Sequence, residues 1–512
     1  MLQFIIRRVL MGALVLLLSS FVMYIMVDIA VDPLEDLRTS TDPDVETLIE
    51  ERIAMLSLDR TSVERYFMWA GAFVTGDLGT SWSTGRPVAE ELRGAVIGTI
   101  QLVTAATFLS IFIGIATGIV SALRQYSGFD YLVVFVSFVL YSLPVFWVAV
   151  LLKQWGAIGF NDFLLDAFLS PVTIGIVAAV VATVIMLAVA GSARRRLITW
   201  VSAAAATALV LVYLQVSGWW NEPHIGPELL LLNGLGVAFG ITMLSTGLSN
   251  RRSLFTALSV VALTLVLYFP IQMIFDATDR AEITGWPLIA AMAPVTIGLG
   301  VLIGRLFGGP DWNQSARTGG IVAAFMGAMV LIDRIMQFWP SYNDNSRISG
   351  RPIRTFQAST PGFEGNFWEL TLNQFSHLVL PTIALTLISI ATYTRFSRGS
   401  MLEVLNQDYV RTARAKGLGE RTVIMRHAFR NSLIPLATIV PVDIITLLGG
   451  AIITERIFAR PGMGTMFLNN LDENVIEPVM TYLVIAAALA IIANIVADLV
   501  YAALDPRIRV NA

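Results

Sequence analysis

Twelve stretches of this 512-residue chain stay apolar for close to the length of a membrane-crossing helix, and no other feature narrows its fold as far. They lie at 5–27, 95–121, 130–152, 171–191, 197–217, 228–248, 254–275, 288–308, 318–339, 378–396, 432–453 and 479–503. A bilayer core of about 30 Å is crossed by roughly 20 helical residues. Only 14% of the residues are charged, against roughly 25% in soluble domains. The expected class is an all-α integral membrane protein with twelve spans and both termini in the cytoplasm. The first run follows Arg7-Arg8 but is long and lacks a small-residue cleavage site, so it reads as a retained anchor.

Basic residues mark cytoplasmic loops, and they check the count independently. Arg7-Arg8 place the N-terminus inside. The segment from Asp32 to Gly94 carries 13 Asp/Glu against 6 Arg and belongs outside. Alternation then puts Arg124, Arg194 to Arg196, Arg251-Arg252 and Arg305 with Arg317 inside. Asp162 with Asp166, Glu222 with Glu228, and Asp276 with Asp279 fall outside, as does the 340–375 loop. Residues 397–431 carry 7 Arg/Lys against 3 Asp/Glu and return inside, as does the Asp505-Pro506-Arg507-Ile508-Arg509 tail. The weakest run is 318–339, where Asp333-Arg334 would each cost about 2.5–3.5 kcal/mol at a span centre. It is kept because dropping it would send the basic 397–431 segment outside. The pair must then be shielded by neighbouring helices or lie near the outer interface.

Several chemistries are excluded outright. With no cysteine there is no disulfide, thiolate metal site or cysteine nucleophile. His224, His377 and His427 are far apart in sequence and do not suggest a metal cluster. The two lysines, Lys153 and Lys416, precede Gln154 and Gly417, whereas a phosphate loop needs Gly-Lys followed by Ser or Thr. If ATP drives this protein, another chain binds it. The outer segment, about 32–94, should contain a helix started by Thr41-Asp42-Pro43, with Val45, Leu48, Ile49, Ile53 and Leu56 at helical spacing.

The densest polar passage between two apolar runs is "DYVRTARAKGLGERTVIMRHAFRNSLIP", residues 408–435. A helix starting at Asp408-Tyr409 would set Tyr409, Ala413 and Lys416 on one face. Gly417-Leu418-Gly419 breaks it, and a second helix resumes from Glu420 with Val423, Ile424, His427 and Ala428 along one side. Small residues at Thr412, Ala413 and Gly417 would let a partner surface approach the backbone. A helix pair docking a partner and a plain juxtamembrane loop both remain open on the residues alone.

The passage Arg411-Thr412-Ala413-Arg414-Ala415-Lys416-Gly417 resembles the EAA loop in permease subunits of ABC importers, with Ala413 and Gly417 at the motif's third residue and its glycine. From Asp408 to Pro435 the chain is similar to the oligopeptide, dipeptide and nickel branch of that family. So are "GDLGTSWSTGRPV" at 76–88, "LPVFW" at 143–147, "HLVLPTIAL" at 377–385, "ERIFARPGMG" at 455–464 and "LDPRIR" at 504–509. The resemblance covers 1–155 and 376–512. It departs from the general pattern at Arg411, where that pattern has Glu, and at His427, Phe429 and Arg430, where it closes in Ile-x-Leu-Pro.

The resemblance implies a six-span type I importer core with a coupling loop at about 403–431. Asp408, Tyr409, Arg411, Thr412, Ala413, Lys416, Gly417, Leu418, Gly419 and Glu420 would dock into a cleft of a separate ATPase subunit. It further implies a second homologous permease, two ATPase subunits that hold the ATP and Mg, and an extracytoplasmic solute-binding protein. This chain would bind no cofactor or nucleic acid itself, perform no catalysis, and pass peptides or related small solutes across a prokaryotic inner membrane. Glu455, Phe458, Pro461, Gly462 and Gly464 would form an outer gate or re-entrant loop, and Asp443 would line the path or satisfy a helix contact.

Residues 156–375 match nothing in the resemblance and add six spans where a short outer loop would do. Three parts are therefore expected: 1–155, the block 156–375, and 376–512. Small-residue stretches such as "AAVVATVIMLAVAG" suit helix packing. The block reads as a peripheral scaffold facing lipid, or as an accessory-subunit or lipid-binding element. A twelve-span secondary transporter is the rival class, but such proteins often show two similar halves, and 1–256 does not resemble 257–512. A membrane-embedded enzyme would need clustered polar residues inside the spans, and none is evident.

Overall fold

The structure, a computed structural model, describes residues 2–189 and 191–504. The tail from Asp505, with most of the "LDPRIR" phrase, lies outside the described residues. Helices make up nearly all the order, and the only β feature among the described residues is an isolated bridge between Thr80 and Pro87. The chain opens with α1 (Leu2–Ala30). Three short helices follow: α2 (Glu35–Arg38), α3 (Val45–Leu56) and α4 (Ser62–Thr75). The expected helix is α3, but it buries none of its residues fully. The anchor of this segment is α4, which starts at a Thr61–Glu64 capping box. Tyr66 of α4 is 3% exposed, bonds Ser20 of α1 at 2.9 Å and sits among Phe21, Tyr24 and Trp69.

Next come α5 (Val88–Leu123), α6 (Gly128–Ser142), α7 (Val145–Leu151), a π-helical turn at Leu152–Gly159, and α8 (Phe160–Leu165). The run 130–152, expected as one straight span, is instead broken between α6 and α7 with a bend of 101°. Pro144 explains it: a residue before proline is driven out of the helical region, and Leu143 sits at φ −81, ψ 129. The two ends of the bent pair nevertheless lie at opposite ends of the bundle. At one end Asp130 pairs with Arg398, and the preceding Arg124 donates to the carbonyl of Ala188. At the other, Asn161 bonds the backbone of Ile353, and Leu169 N–H donates to Gln215. Counted as one span, the pair brings the eleven other candidates to the expected twelve.

Six further spans follow: α9 (Pro171–Ala188), α10 (Ala193–Val216), α11 (Gly226–Ser245), α12 (Arg251–Arg280), α13 (Trp286–Phe307) and α14 (Trp312–Gln337). The pair α9–α10 forms a hairpin that leans on α6. A four-helix bundle, α11–α14, has its own core built on Leu230, Val261, Val322, Met326 and Val330. After α15 (Trp339–Asp344) the chain enters α16 (Phe367–Leu405), then α17 (Asp408–Ala415), α18 (Glu420–Thr422), a π-helical turn at Val423–Phe429, α19 (Arg430–Ile457), α20 (Met463–Asp472) and α21 (Ile476–Leu504). The expected part boundaries at 155/156 and 375/376 fall inside the π-turn and inside α16.

The most extensive helix contact joins α5 to α16. Gly114 and Gly118 put α5 against α16 so closely that a Cβ on Gly118 would lie 1.9 Å from Ser397 Oγ. This is the small-xxx-small packing of membrane helices, reinforced by Thr117–Thr394 at 2.8 Å and Ser397 to the Gly114 carbonyl at 3.2 Å. Beside it, Asp130 takes two parallel bonds from Arg398, at 2.7 and 2.9 Å, and a third from Ser121.

The Asp333-Arg334 pair is shielded by neighbouring helices, one of the two expected means. Asp333, 0% exposed, accepts from Tyr268 at 2.6 Å, Gln337 at 2.8 Å and the N–H groups of Ile225 and Gly226 that open α11. Arg334 pairs with Asp276 and Asp279 at the end of α12, and lies over Phe338 and Trp368. Trp368 Nε1 in turn donates to Asp279, which pins the α11–α14 bundle to α16.

Asp130→Ala would leave Arg398 without a partner in a packed interface. Breaking a buried pair in this way costs about 3 kcal/mol or more. The expected outcome is a clear fall in the apparent melting temperature of the purified chain, partly recovered in Asp130→Ala/Arg398→Met.

Candidate functional site

The polar passage folds as two short helical pieces between spans α16 and α19. Helix α17 ends in a Schellman turn: Leu418 N–H returns to the Ala413 carbonyl at 3.4 Å and Gly417 N–H to the Arg414 carbonyl at 2.9 Å. Such a turn needs one residue in the left-handed region, and Gly417 has φ +74. Arg414 closes the corner by gripping Glu420 through two bonds, at 3.0 and 2.6 Å. That contact raises the Arg414 guanidinium above its ordinary value.

Tyr409, Ala413 and Lys416 do not share an exposed face. Ala413 is buried with Val410 against Val423, whereas Tyr409, Arg411, Thr412 and Lys416 are exposed. The small side chain at 413 therefore serves the chain's own helix-to-helix contact. What is offered outward is Asp408, Tyr409, Arg411, Thr412 and Lys416, with Leu418, Gly419 and Glu420 at the turn. The second piece has three α-helical residues and then seven in a π-helical turn. Val423 and Ala428 are buried, and Ile424 and Ala428 pack with Ala122 of α5 and Met401 of α16. Arg421 donates to the carbonyl of Leu244 near the end of α11, so the segment also touches the inserted bundle.

At the opposite end of the bundle, "ERIFARPGMG" forms the corner between α19 and α20. Glu455 is 0% exposed. It accepts from Thr99 Oγ1 of α5 at 2.6 Å and from the N–H groups of Gly464 and Thr465 at 2.9 and 3.2 Å. A carboxylate there satisfies the free amides of α20's first turn and its positive end. A Cβ on Gly462 would stand 2.2 Å from the Glu455 carboxyl carbon, so only glycine lets the corner close. Phe458 is buried with Val148, Ala157 and Leu380, and Gly464 lies against Ile452. Glu455, Phe458, Gly462 and Gly464 are therefore buried fasteners of the corner, and only Pro461 among the expected gate residues is exposed. Arg460, 2% exposed, bonds Gln101 at 3.1 Å, and burial lowers its guanidinium from the ordinary value, with Glu455 opposing.

Asp443 sits on α19 opposite Ser389 and Tyr393 of α16. It is half-buried, and its Oδ2 closes no well-formed hydrogen bond. Thr99, Asp130, Arg398 and Arg460, none of them among the expected site residues, each hold a buried polar contact here. Asp130 and Arg398 had a usable signal, a charge at the edge of an apolar run. Thr99 had none. Among the described residues no group of His, Asp and Glu is placed to hold a metal.

The sequence profile of a family described as "Binding-protein-dependent transport system inner membrane component" matches residues 236–510. That region runs from α11 through α21 and so begins inside the block 156–375. The chain is 38% identical over 153 residues to the oligopeptide transport system permease protein OppB of Mycobacterium tuberculosis, covering 30% of this chain and 47% of that protein. It is 42% identical over 136 residues to the oligopeptide transport system permease protein AppB of Bacillus subtilis, covering 27% and 43%. It is 26% identical over 461 residues to the dipeptide transport system permease protein DppB of Alkalihalophilus pseudofirmus, covering 90% and 85%. The first two alignments span about half the length of those relatives.

Gly417→Val would force a β-branched residue into the left-handed region, at about 1–2 kcal/mol. Hydrogen exchange should show the amides of 413–418 opening roughly tenfold faster or more, with the melting of the whole chain little changed.

Proposed function

Since the chain belongs to the family of binding-protein-dependent transport system inner membrane components, we propose that it is the permease subunit of an ATP-driven importer for peptides or related small solutes. The observation that carries this is the fold of 408–429. A rigid, polar, outward-facing corner lies between two spans, inside the region that the family profile matches. Oligopeptide and dipeptide permeases are the relatives found, which supports a peptide-class substrate.

In this reading the 408–429 corner faces the cytoplasm, as its basic balance requires, and docks in a separate ATPase subunit. ATP and Mg act on two such subunits, and a second homologous permease completes the path. An extracytoplasmic solute-binding protein delivers the solute to the end that carries α2–α4 and the Glu455 corner. Closure of the ATPase pair pushes on α17, and α17 moves α16 as one piece, because Val410 and Ala413 are locked onto Val423 and Ala428 onto Met401. Packed elements of this kind shift between discrete arrangements. Asp443, facing Ser389 and Tyr393, is the polar point we place on the solute path.

The block 156–375 stands outside that path as a brace. It holds α16 near its start through Trp368–Asp279 and meets the docking corner through Arg421 and Leu244.

Affinity purification of the chain from native membranes tests the reading. Co-purified ATPase subunits are expected with the wild type and should be lost with Arg411→Glu/Lys416→Glu, which alters only exposed side chains. A wild-type chain that comes out with no ATPase sinks the proposal, as does a variant that keeps its full complement.

A further inference from the structure

The α11–α14 bundle is not closed on all sides. Between α12, α13 and α14 lies a crevice of about 290 Å³, walled by side chains such as Leu267, Ile271, Met292, Ile297 and Leu331. Its shape follows from how α13 meets α14. Near one end the two helices touch backbone to backbone, where a Cβ on Gly300 would lie 2.3 Å from the Gly319 carbonyl oxygen, and one on Gly304 2.4 Å from that of Ser315. Toward the Trp286 end the crevice occupies the space between α12 and the α13–α14 pair, with Pro270 and Pro294 inside the two facing helices.

Something must fill it. An empty apolar space of this size forfeits the contacts of all its lining atoms, a loss that grows with cavity volume. Water is a poor filler, because it needs two to four polar partners. The two hydroxyls in the lining, Thr264 and Thr296, already donate within their own helices, to Val260 and Met292. The occupant is therefore apolar. Ile297 and Leu299, both lining residues, are each 40% exposed, so the crevice is open along α13. It lies within the spans, where the surrounding medium is hydrocarbon.

We propose that this crevice is a binding site for one acyl chain of a bilayer phospholipid, which enters sideways past α13. The lipid then completes the core of the inserted bundle.

The test is reconstitution of the full chain in phosphatidylcholine vesicles that contain a trace of phosphatidylcholine with a diazirine at mid-chain, followed by photolysis and peptide mapping. Crosslinks are expected to concentrate on the facing segments of α12, α13 and α14, above the level on the equally lipid-exposed α10. In Ala293→Phe/Ala328→Phe, which fills the crevice from its open side, they should drop to the α10 level. Ala291→Phe, on the same helix but outside the lining, should leave them unchanged and shows that a bulky residue on α13 is tolerated. Crosslinking no denser in the crevice than on α10 overturns the proposal, as does a filled variant that labels like the wild type. Because the chain has no cysteine, Ile297→Cys gives a clean second probe in native membranes. Efficient photocrosslinking of a partner subunit by a benzophenone maleimide attached to that thiol, in place of labelling of lipid, would make the crevice a protein contact and equally overturn it.

Discussion

A carboxylate held away from water must find its donors inside the chain, and in this protein three of them determine how the helices come together. Asp130 takes both arms of Arg398 and the hydroxyl of Ser121. Asp333 takes a tyrosine, a glutamine and two backbone amides. Glu455 takes a threonine and the first turn of α20. Each would be prohibitively costly alone, so each can exist only if segments far apart in sequence arrive together. Asp130 joins α6 to α16, Asp333 joins α11, α12 and α14, and Glu455 joins α19, α20 and α5. Apolar contact draws helices together without direction, whereas these contacts fix which faces meet.

Helix α16 gathers contacts from several of these helices. It is clamped to α5 through Gly114 and Gly118, tied to α6 through Arg398, and held to the inserted bundle through Trp368. It then leads through Gln407 into α17. The inserted bundle meets this unit at both ends, which gives the six additional spans a mechanical place in the molecule even though none of their side chains was found among the expected site residues.

Much of this was legible in the sequence, and what was not has identifiable causes. The twelve apolar runs translate into helices because a span is a local property, a matter of length and hydropathy. The break at Leu143-Pro144 could have been read from the proline, yet the unbroken apolar run concealed it. Span 318–339 had to be kept in spite of Asp333-Arg334 because the partners that make the pair tolerable come from 225–226, 268–279 and 368. The corner at 408–420 was visible from its glycines and charges. The role of Ala413 was not, because a small residue that admits a partner surface looks the same in sequence as one that admits the chain's own helix. The cap that Glu455 forms is hidden in the sequence for a similar reason. A buried acid beside glycines is compatible with a solute path, and only the positions of Thr99 and α20 reveal a cap.

The length of α16 has a geometric consequence. Its 39 residues make a rod of about 58 Å at 1.5 Å per residue, close to twice the hydrocarbon thickness. Pro381 interrupts one backbone bond along it without ending the helix. With its Trp368 end seated, a swing of only about 5° carries the Leu405 end sideways by roughly 5 Å, about the pitch of one helical turn. Arg398, about 45 Å along the same rod, would travel roughly 4 Å in that swing. Helices α5 and α6 must therefore turn with α16 for the Arg398–Asp130 pair to survive, and the change of contacts falls at the far tip.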